Sequence, residues 1–424
     1  MTALPDNFAS QFEQIADLAP DRLAVVAGDR AVSWGRFDAL ADRLAGHLAA
    51  AGITTGDRFG LAARNSPEYL VALHALFKLG ATPVNINYRY RAGEVRFLLE
   101  GSGARGAIAD PEMVEVVRAA AADLDDCAVL VTVSPTGGFG ADVAAADRLP
   151  RSPRGDTEWL IYTGGTTGHP KAVTGSHTER LRAVRSGGFA TLGLDPEGGL
   201  ATLQAALRID PRDPGGVVHL PAPPLMHGTG LYSALGAMAS ASTVALLPGR
   251  STTGTDLLAA IDRHGVTDLT IVGDAFALRL LDALDAAAAA GRPLGIDSLR
   301  RIRSVGAVWS SQVKRRLLAH ADLALHDNIA ASEGGVYALS TVTRQTVDDQ
   351  AGTFVLAPGA RLLDPDGNDI EPGSDEVGLL AAPVVAGASY EGDPDKTDEA
   401  FKDIGGIRYS IPGDYARVEA DGTL

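Results

Sequence analysis

The 424-residue sequence predicts an α/β protein with mostly parallel sheets, followed by a small β region. Helical and strand periodicities alternate from the start of the chain, which is the pattern of βαβ units. After about residue 340 they give way to short strand runs separated by Pro-Asp-Gly, Glu-Pro-Gly and Gly-Asp-Pro turns. Between the first cycles and the rest, a Gly/Thr-rich loop follows an apolar strand directly, at the strand end where α/β sheets bind ligands.

Taken in order, Ser33 is placed to cap a helix whose apolar face is Phe37, Leu40, Ala41, Leu44 and Leu48, ending before Gly52. Arg58–Ala62 reads as a strand and Glu68–Leu79 as a helix stopped by Gly80. A second cycle comprises strand Arg105–Ala109, helix Met113–Ala122 and strand Ala128–Val133. A linker rich in Pro and Gly covers residues 134 to 155, and Glu158–Tyr162 reads as a buried strand. Further on come strand Thr243–Leu247, helix Thr255–His264 and strand Asp268–Val272. Ala286–Ala290 is a helix end by composition, capped by Gly291. No internal repeat has a fixed period.

Composition narrows the function. With 46% hydrophobic residues the chain can bury a large core, and its length exceeds what one core fills, so two or three subdomains are expected. A net charge of −16 argues against nucleic acid or an anionic membrane as partner, since each requires a basic face. The lone Cys127 cannot form an internal disulfide, and no Cys/His spacing suggests zinc. The N-terminus lacks a signal-peptide pattern, and no apolar run approaches the ~20 residues that span a bilayer. A soluble protein of the reducing cytoplasm is expected.

Residues 162–173, Tyr-Thr-Gly-Gly-Thr-Thr-Gly-His-Pro-Lys-Ala-Val, combine the features of a phosphate cradle. Gly164, Gly165 and Gly168 free backbone N–H groups, Thr163, Thr166 and Thr167 add hydroxyls, and Lys171 adds positive charge. A flexible turn is the plain alternative. The loop is not a Walker A motif, because Pro170 precedes the lysine and Ala172 follows it. It resembles the Tyr-Thr-Ser-Gly-Thr-Thr-Gly-x-Pro-Lys-Gly-Val signature of the adenylate-forming superfamily of acyl-CoA synthetases, nonribosomal-peptide adenylation domains and luciferases. Gly164 replaces the serine and Ala172 the last glycine. The missing hydroxyl removes about one hydrogen bond, typically ~0.5–1.5 kcal/mol.

The resemblance extends from about Asp21 to Leu424, with Asn65, Glu68, Gly80 and Asn85 as early, individually unremarkable matches. Pro223-Pro-Leu-Met-His-Gly-Thr-Gly230 is similar to the family's Pro-Leu-Phe-His-x-x-Gly element. On that match His227 lies in the acyl pocket near the carboxylate, as wall or gate, and Gly228, Thr229 and Gly230 permit close approach. Ser304-Val-Gly-Ala-Val-Trp309 is similar to the strand end bordering the adenine and acyl pockets, with Gly306 and Ala307 keeping it small. Trp309 is pocket wall or core. Asp327-Asn-Ile-Ala-Ala-Ser-Glu-Gly334 is similar to Gly-Tyr-Gly-x-Thr-Glu. That match gives Ser332 the α-phosphate and Glu333 a magnesium ion, with Asn328, Ile329 and Ala330 beside the adenine. Ile329 stands where the family usually has tyrosine, forfeiting about 0.5–1.5 kcal/mol of aromatic stacking. Tyr409-Ser-Ile-Pro-Gly-Asp414 is similar to Tyr-x-Thr-Gly-Asp, whose aspartate accepts from both ribose hydroxyls.

The resemblance implies two stacked parallel-sheet α/β subdomains, residues 1–185 and 186–340, and a small β-barrel-like subdomain, residues 341–424, ending at the hinge that precedes the family's mobile C-terminal domain. It implies activation of a carboxylic acid by ATP and Mg2+ to acyl-AMP, then transfer to CoA. A carrier-protein thiol as acceptor and a non-catalytic acyl-adenylate binder stay open. Bulky aromatic or alicyclic acids are expected, with Gly187, Gly188 and Gly230 leaving room. Dimerisation is common in the family and leaves no signature here.

Overall fold

In the computed structural model the described residues are 3–134, 136–164, 170–247, 249, 252–291, 295–384 and 387–424. They form two compact units, one built from residues 1–164 and 176–250, the other from residues 165–175 and 251–424. The mixed α/β class with parallel sheets is as expected.

In the first unit, strands Thr82–Asn85, Arg58–Ala62, Gly106–Ala109 and Val129–Thr132 make a parallel four-stranded sheet. Strands Val218–Pro221, Thr243–Leu246 and Leu23–Ala27 pair in parallel, and Arg30–Ser33 closes that ladder antiparallel. Helix Trp34–Ala50 begins where Ser33 Oγ accepts from the Arg36 N–H, and helix Pro67–Leu79 ends at Gly80 in the left-handed region, at φ 71°. Both ends follow capping chemistry. The segment expected as a linker contains a short helix, Ala141–Ala145, held by Arg43 Nη1 donating to the Ala144 and Ala146 carbonyls at 2.8 and 3.0 Å. Helix His177–Thr191 packs tightly on helix Gly228–Ala239, since a Cβ at Gly188 would lie 2.3 Å from the Gly236 carbonyl oxygen.

Helix Pro67–Leu79 is buried along its whole length, polar side chains included. Lys78 Nζ lies 2.7 Å from Glu13 Oε1, 2.7 Å from Asp38 Oδ1 and 2.8 Å from Asp42 Oδ1. Arg154 pairs with Glu13 at 2.8 Å and Arg151 with Asp38 at 3.0 Å. These three carboxylates converge closely enough for a metal ion, but an ammonium and two guanidinium groups already face them.

One turn back, burial and then the Lys78 charge lower the pKa of His74 to about 4. Burial does the same to His177, again to about 4. The His177 Nε2 accepts from the Phe8 N–H at 3.0 Å, which requires the neutral ring. On unfolding, both rings bind a proton near their ordinary value of 6.5, which the folded chain refuses until about pH 4. Stability therefore falls as pH drops through that window, by up to about 3 kcal/mol for each ring. Melting curves at about pH 7 and about pH 5 should show a clear drop, made shallower by His74→Gln with His177→Gln. Equal melting temperatures at the two pH values would contradict this account.

In the second unit, strands Asp268–Ile271, Arg301–Val305 and Ala324–Ala330 run parallel, and Val336–Val342 and Val355–Leu356 extend the sheet antiparallel. Short antiparallel strands follow, in the order Arg361–Leu363, Gly378–Pro383, Ile407–Ser410, Phe401–Ile404. Strand Ser389–Tyr390 instead pairs with Lys171–Ser176. Helix Gly273–Ala289 carries the alanine run at its C-terminal end, with Gly291 at φ 65° just beyond.

Candidate functional site

The phosphate-loop residues Gly165, Thr166, Thr167 and Gly168 lie outside the described residues. Their flanks are described. Thr163 ends strand Glu158–Thr163, and Gly164 is exposed, with no atom of the described residues within 4 Å of where a Cβ would stand. Lys171 begins strand Lys171–Ser176 and is half-buried.

In the second unit Lys171 meets Tyr390, with the ammonium 5.0 Å from the ring centroid. The pairing register explains the contact. Tyr390 lies opposite Val173, and the Glu391 N–H donates to the Ala172 carbonyl at 2.9 Å. Lys171 is thus a diagonal neighbour on the same face, within reach of an aromatic ring. Downstream, the Thr397 hydroxyl accepts from the Tyr390 N–H at 3.0 Å and donates to the Asp393 carbonyl at 2.8 Å. The Tyr390 hydroxyl donates a short hydrogen bond to Glu333 Oε1. Burial, then that bond, hold its pKa well above the ordinary phenol range, so the phenol remains the donor.

Glu333 sits in the turn after strand Ala324–Ala330, with Gly334 and Gly335 at φ 106° and 89°. A Cβ on Gly335 would lie 2.8 Å from Ala382 Cβ, so the backbone there requires glycine. The Gly334 carbonyl accepts from Ser410 Oγ at 3.0 Å and from the Tyr337 hydroxyl at 3.3 Å, while those two hydroxyls also touch each other. This ties the Glu333 turn to strand Ile407–Ser410. Asp414 follows four residues on, exposed, its carbonyl accepting from the Leu380 N–H at 2.9 Å. Ser332 is half-buried beside Glu333.

Parallel pairing of Val305 with Asn328 brings Gly306 and Ala307 to the same strand ends as Asn328, Ile329 and Ala330. Ile329 packs partly buried against the cluster of Tyr337, Leu362 and Leu380. Gly306, at φ 91°, and Ala307 are exposed. Gly273, at φ 54°, allows this approach, because a Cβ on it would lie 2.3 Å from the Val308 carbonyl oxygen. Trp309 is a core side chain, 3% exposed, with the Lys314 ammonium 5.4 Å from its ring. Lys314 in turn pairs with Asp327 at 2.7 Å, both buried, beneath the end of the strand that leads to Glu333.

The remaining residues belong to the first unit. His227 caps helix Gly228–Ala239 at the surface, where desolvation by the wall behind it and the Arg89 charge keep its pKa below the ordinary imidazole value. Asn65 fixes the preceding segment, donating to the Pro223 carbonyl at 3.2 Å and accepting from the Leu225 N–H at 2.7 Å. Asn85 donates to the Tyr162 and Met226 carbonyls at 2.9 and 2.7 Å and accepts from the Tyr162 N–H at 2.7 Å. Two unremarkable sequence matches thus set the placement of His227 beside the strand that enters the loop.

Gly228 faces Tyr232 and Ile161, and Thr229 is half-buried on the first turn of the helix. The expectation that glycines leave room for a ring needs correcting. A Cβ on Gly230 would lie 2.5 Å from the Pro224 carbonyl oxygen, and Gly188 is required by the helix crossing described above. Only Gly187 of the three faces open space.

A magnesium ion fits this donor set. Mg2+ is usually held by one or two carboxylates together with substrate phosphates and water. Glu333 offers one half-buried carboxylate at a turn whose Gly334 carbonyl accepts from both Ser410 and Tyr337.

A family model described as AMP-binding enzyme matches residues 12–382. A 3-oxocholest-4-en-26-oate–CoA ligase of Rhodococcus rhodochrous is 32% identical, over 99% of this chain and 77% of its own length. A medium/long-chain-fatty-acid–CoA/3-oxocholest-4-en-26-oate–CoA ligase of Mycolicibacterium smegmatis is also 32% identical, over 99% and 77%. In fold, the chain is similar to the inhibitor-bound N-terminal domain of FACL13 from Mycobacterium tuberculosis, with TM-score 0.79, 23% identity and coverage of 99% and 98%. It is similar also to the anthranilate CoA ligase AuaEII in complex with anthranoyl-AMP, with TM-score 0.80, 19% identity and coverage of 100% and 77%. The chain belongs to the AMP-binding enzyme family, the adenylate-forming superfamily that its loop signature resembles.

Proposed function

We propose that this chain binds ATP and a carboxylic acid for an AMP-forming acyl-CoA ligase. The substrate carboxylate attacks the α-phosphate of ATP, pyrophosphate leaves, and the CoA thiol then displaces AMP from the acyl-AMP. The observation that carries this reading is the meeting of Lys171 and Glu333, distant in sequence, on the two sides of Tyr390. Such chemistry is mainly positioning and charge stabilisation, which suits a cation and a carboxylate held at a fixed spacing.

Lys171 and the loop from Thr163 to Gly168 take the β- and γ-phosphates. Ser332 takes the α-phosphate, and Glu333 holds Mg2+, which when bound screens the polyphosphate from the attacking carboxylate. Gly306, Ala307, Asn328, Ile329 and Ala330 border the adenine, and Asp414 accepts from the ribose hydroxyls. His227, Gly228 and Thr229 border the acyl carboxylate. The names of the two ligase relatives support CoA as acceptor and aliphatic or alicyclic acids as substrates. The departures at Gly164 and Ile329 support a second reading, an acyl-adenylate-binding relative without turnover.

Acid-dependent pyrophosphate release, measured with CoA across linear and polycyclic carboxylates, tests the proposal. Release with stoichiometric acyl-CoA is expected for at least one of these classes. Acyl-adenylate binding without release on any acid would favour the second reading, and release that requires a carrier-protein thiol in place of CoA would reassign the acceptor.

A further inference from the structure

Tyr390 is absent from every motif discussed above, yet it is the side chain on which the second unit's two functional groups converge. Its hydroxyl bonds Glu333 and its ring lies under the Lys171 ammonium, 5.0 Å from the centroid. It is itself held on three sides. Strand pairing with Lys171–Ser176 fixes its backbone, Thr397 closes the loop behind it, and Phe401 packs edge-on against its ring at 5.6 Å between centroids. Glu333, for its part, is anchored through the Gly334 carbonyl.

Resting on the adenylation reading, we propose that Tyr390 is a positioning residue that sets the separation between the metal-binding carboxylate and the phosphate-binding ammonium. Its hydroxyl orients the Glu333 carboxylate, as an outer hydrogen-bond partner orients a metal ligand. Its ring holds the Lys171 ammonium by cation–π attraction. The ring thus tethers Lys171 and the hydroxyl tethers Glu333, and the two functions separate chemically. Tyr390→Phe removes only the hold on Glu333, whereas Tyr390→Leu removes both.

Calorimetric titration of the chain with ATP over a series of Mg2+ concentrations, with metal-free ATP, and with AMP tests the proposal. Tyr390→Phe is expected to raise the Mg2+ concentration for half-maximal ATP binding about tenfold, as outer-sphere substitutions do, with metal-free ATP and AMP binding unchanged. Tyr390→Leu is expected to weaken metal-free ATP binding as well, about threefold, while AMP, which lacks the β- and γ-phosphates, binds as before. AMP binding also reports that the fold is intact, a readout that a merely structural role would move. An unchanged or lowered Mg2+ midpoint in Tyr390→Phe, alongside a raised one in Glu333→Gln, overturns the proposal and leaves the adenylation reading standing. Failure of the wild-type chain to bind ATP with Mg2+ overturns both.

Discussion

Lys171→Ala is expected to lower acid-dependent pyrophosphate release by about two to three orders of magnitude, the range observed when one preorganised electrostatic contact to a developing charge is removed. The lysine begins a strand, so its backbone is fixed by the ladder, and its ammonium is held over Tyr390. Little reorganisation is then needed when negative charge builds on the departing pyrophosphate. Lys171→Arg retains the charge in a wider planar group and is expected to recover only part of the rate. Steady-state release by variants with wild-type melting temperatures is the measurement. A rate within a few-fold of wild type for Lys171→Ala would remove the loop from the chemistry.

The largest effect on stability is expected at Lys78→Met. Its ammonium is the common partner of Glu13, Asp38 and Asp42, and its side chain is only 1% exposed. Methionine fills the space but leaves three converging carboxylates with Arg151, Arg154 and the His74 ring beside them. Removing one partner of a buried ion pair typically costs about 3–5 kcal/mol, because the remaining charge has no compensation. Denaturant unfolding should show that loss, and Lys78→Met combined with Asp38→Asn and Asp42→Asn should recover much of it. Loss of no more than about 1 kcal/mol in the single variant, the range of exposed pairs, would show that solvent already screens the cluster.

How far the sequence discloses this molecule depends on the distance over which each signal acts. Local signals read well. Ser33 and Gly80 bound their helices as capping chemistry dictates, and Arg58–Ala62 is a strand to the residue. The helix Phe8–Leu18, capped by Asn7, escapes because its apolar face declares itself only against the helices it packs on. Lys78 reads as an ordinary last-turn cation until the fold brings Glu13, Asp38 and Asp42 around it.

The candidate site divides in the same way. Lys171, Glu333, His227 and Asp414 stand in motifs whose residues are contiguous, so the resemblance finds them. Asn65 and Asn85 are visible as matches, but their work of clamping Pro223–Met226 is not. Tyr390 has no local signal, since its importance comes from a strand register that joins it to Lys171 and a turn that brings it Glu333. Gly188 and Gly230 mislead for a related reason. Glycine in sequence marks permissiveness, and only the structure assigns it to backbone approach instead of ligand space.

The most direct measurement is calorimetric titration of the chain with a non-hydrolysable acyl-adenylate mimic, with Asp414→Ala as control. Tight binding by the wild-type chain and a clear loss in the variant are expected, because the exposed Asp414 carboxylate can accept from both ribose hydroxyls. Absence of binding by the wild-type chain, or equal binding by Asp414→Ala, would contradict the assignment of an acyl-adenylate site to these residues.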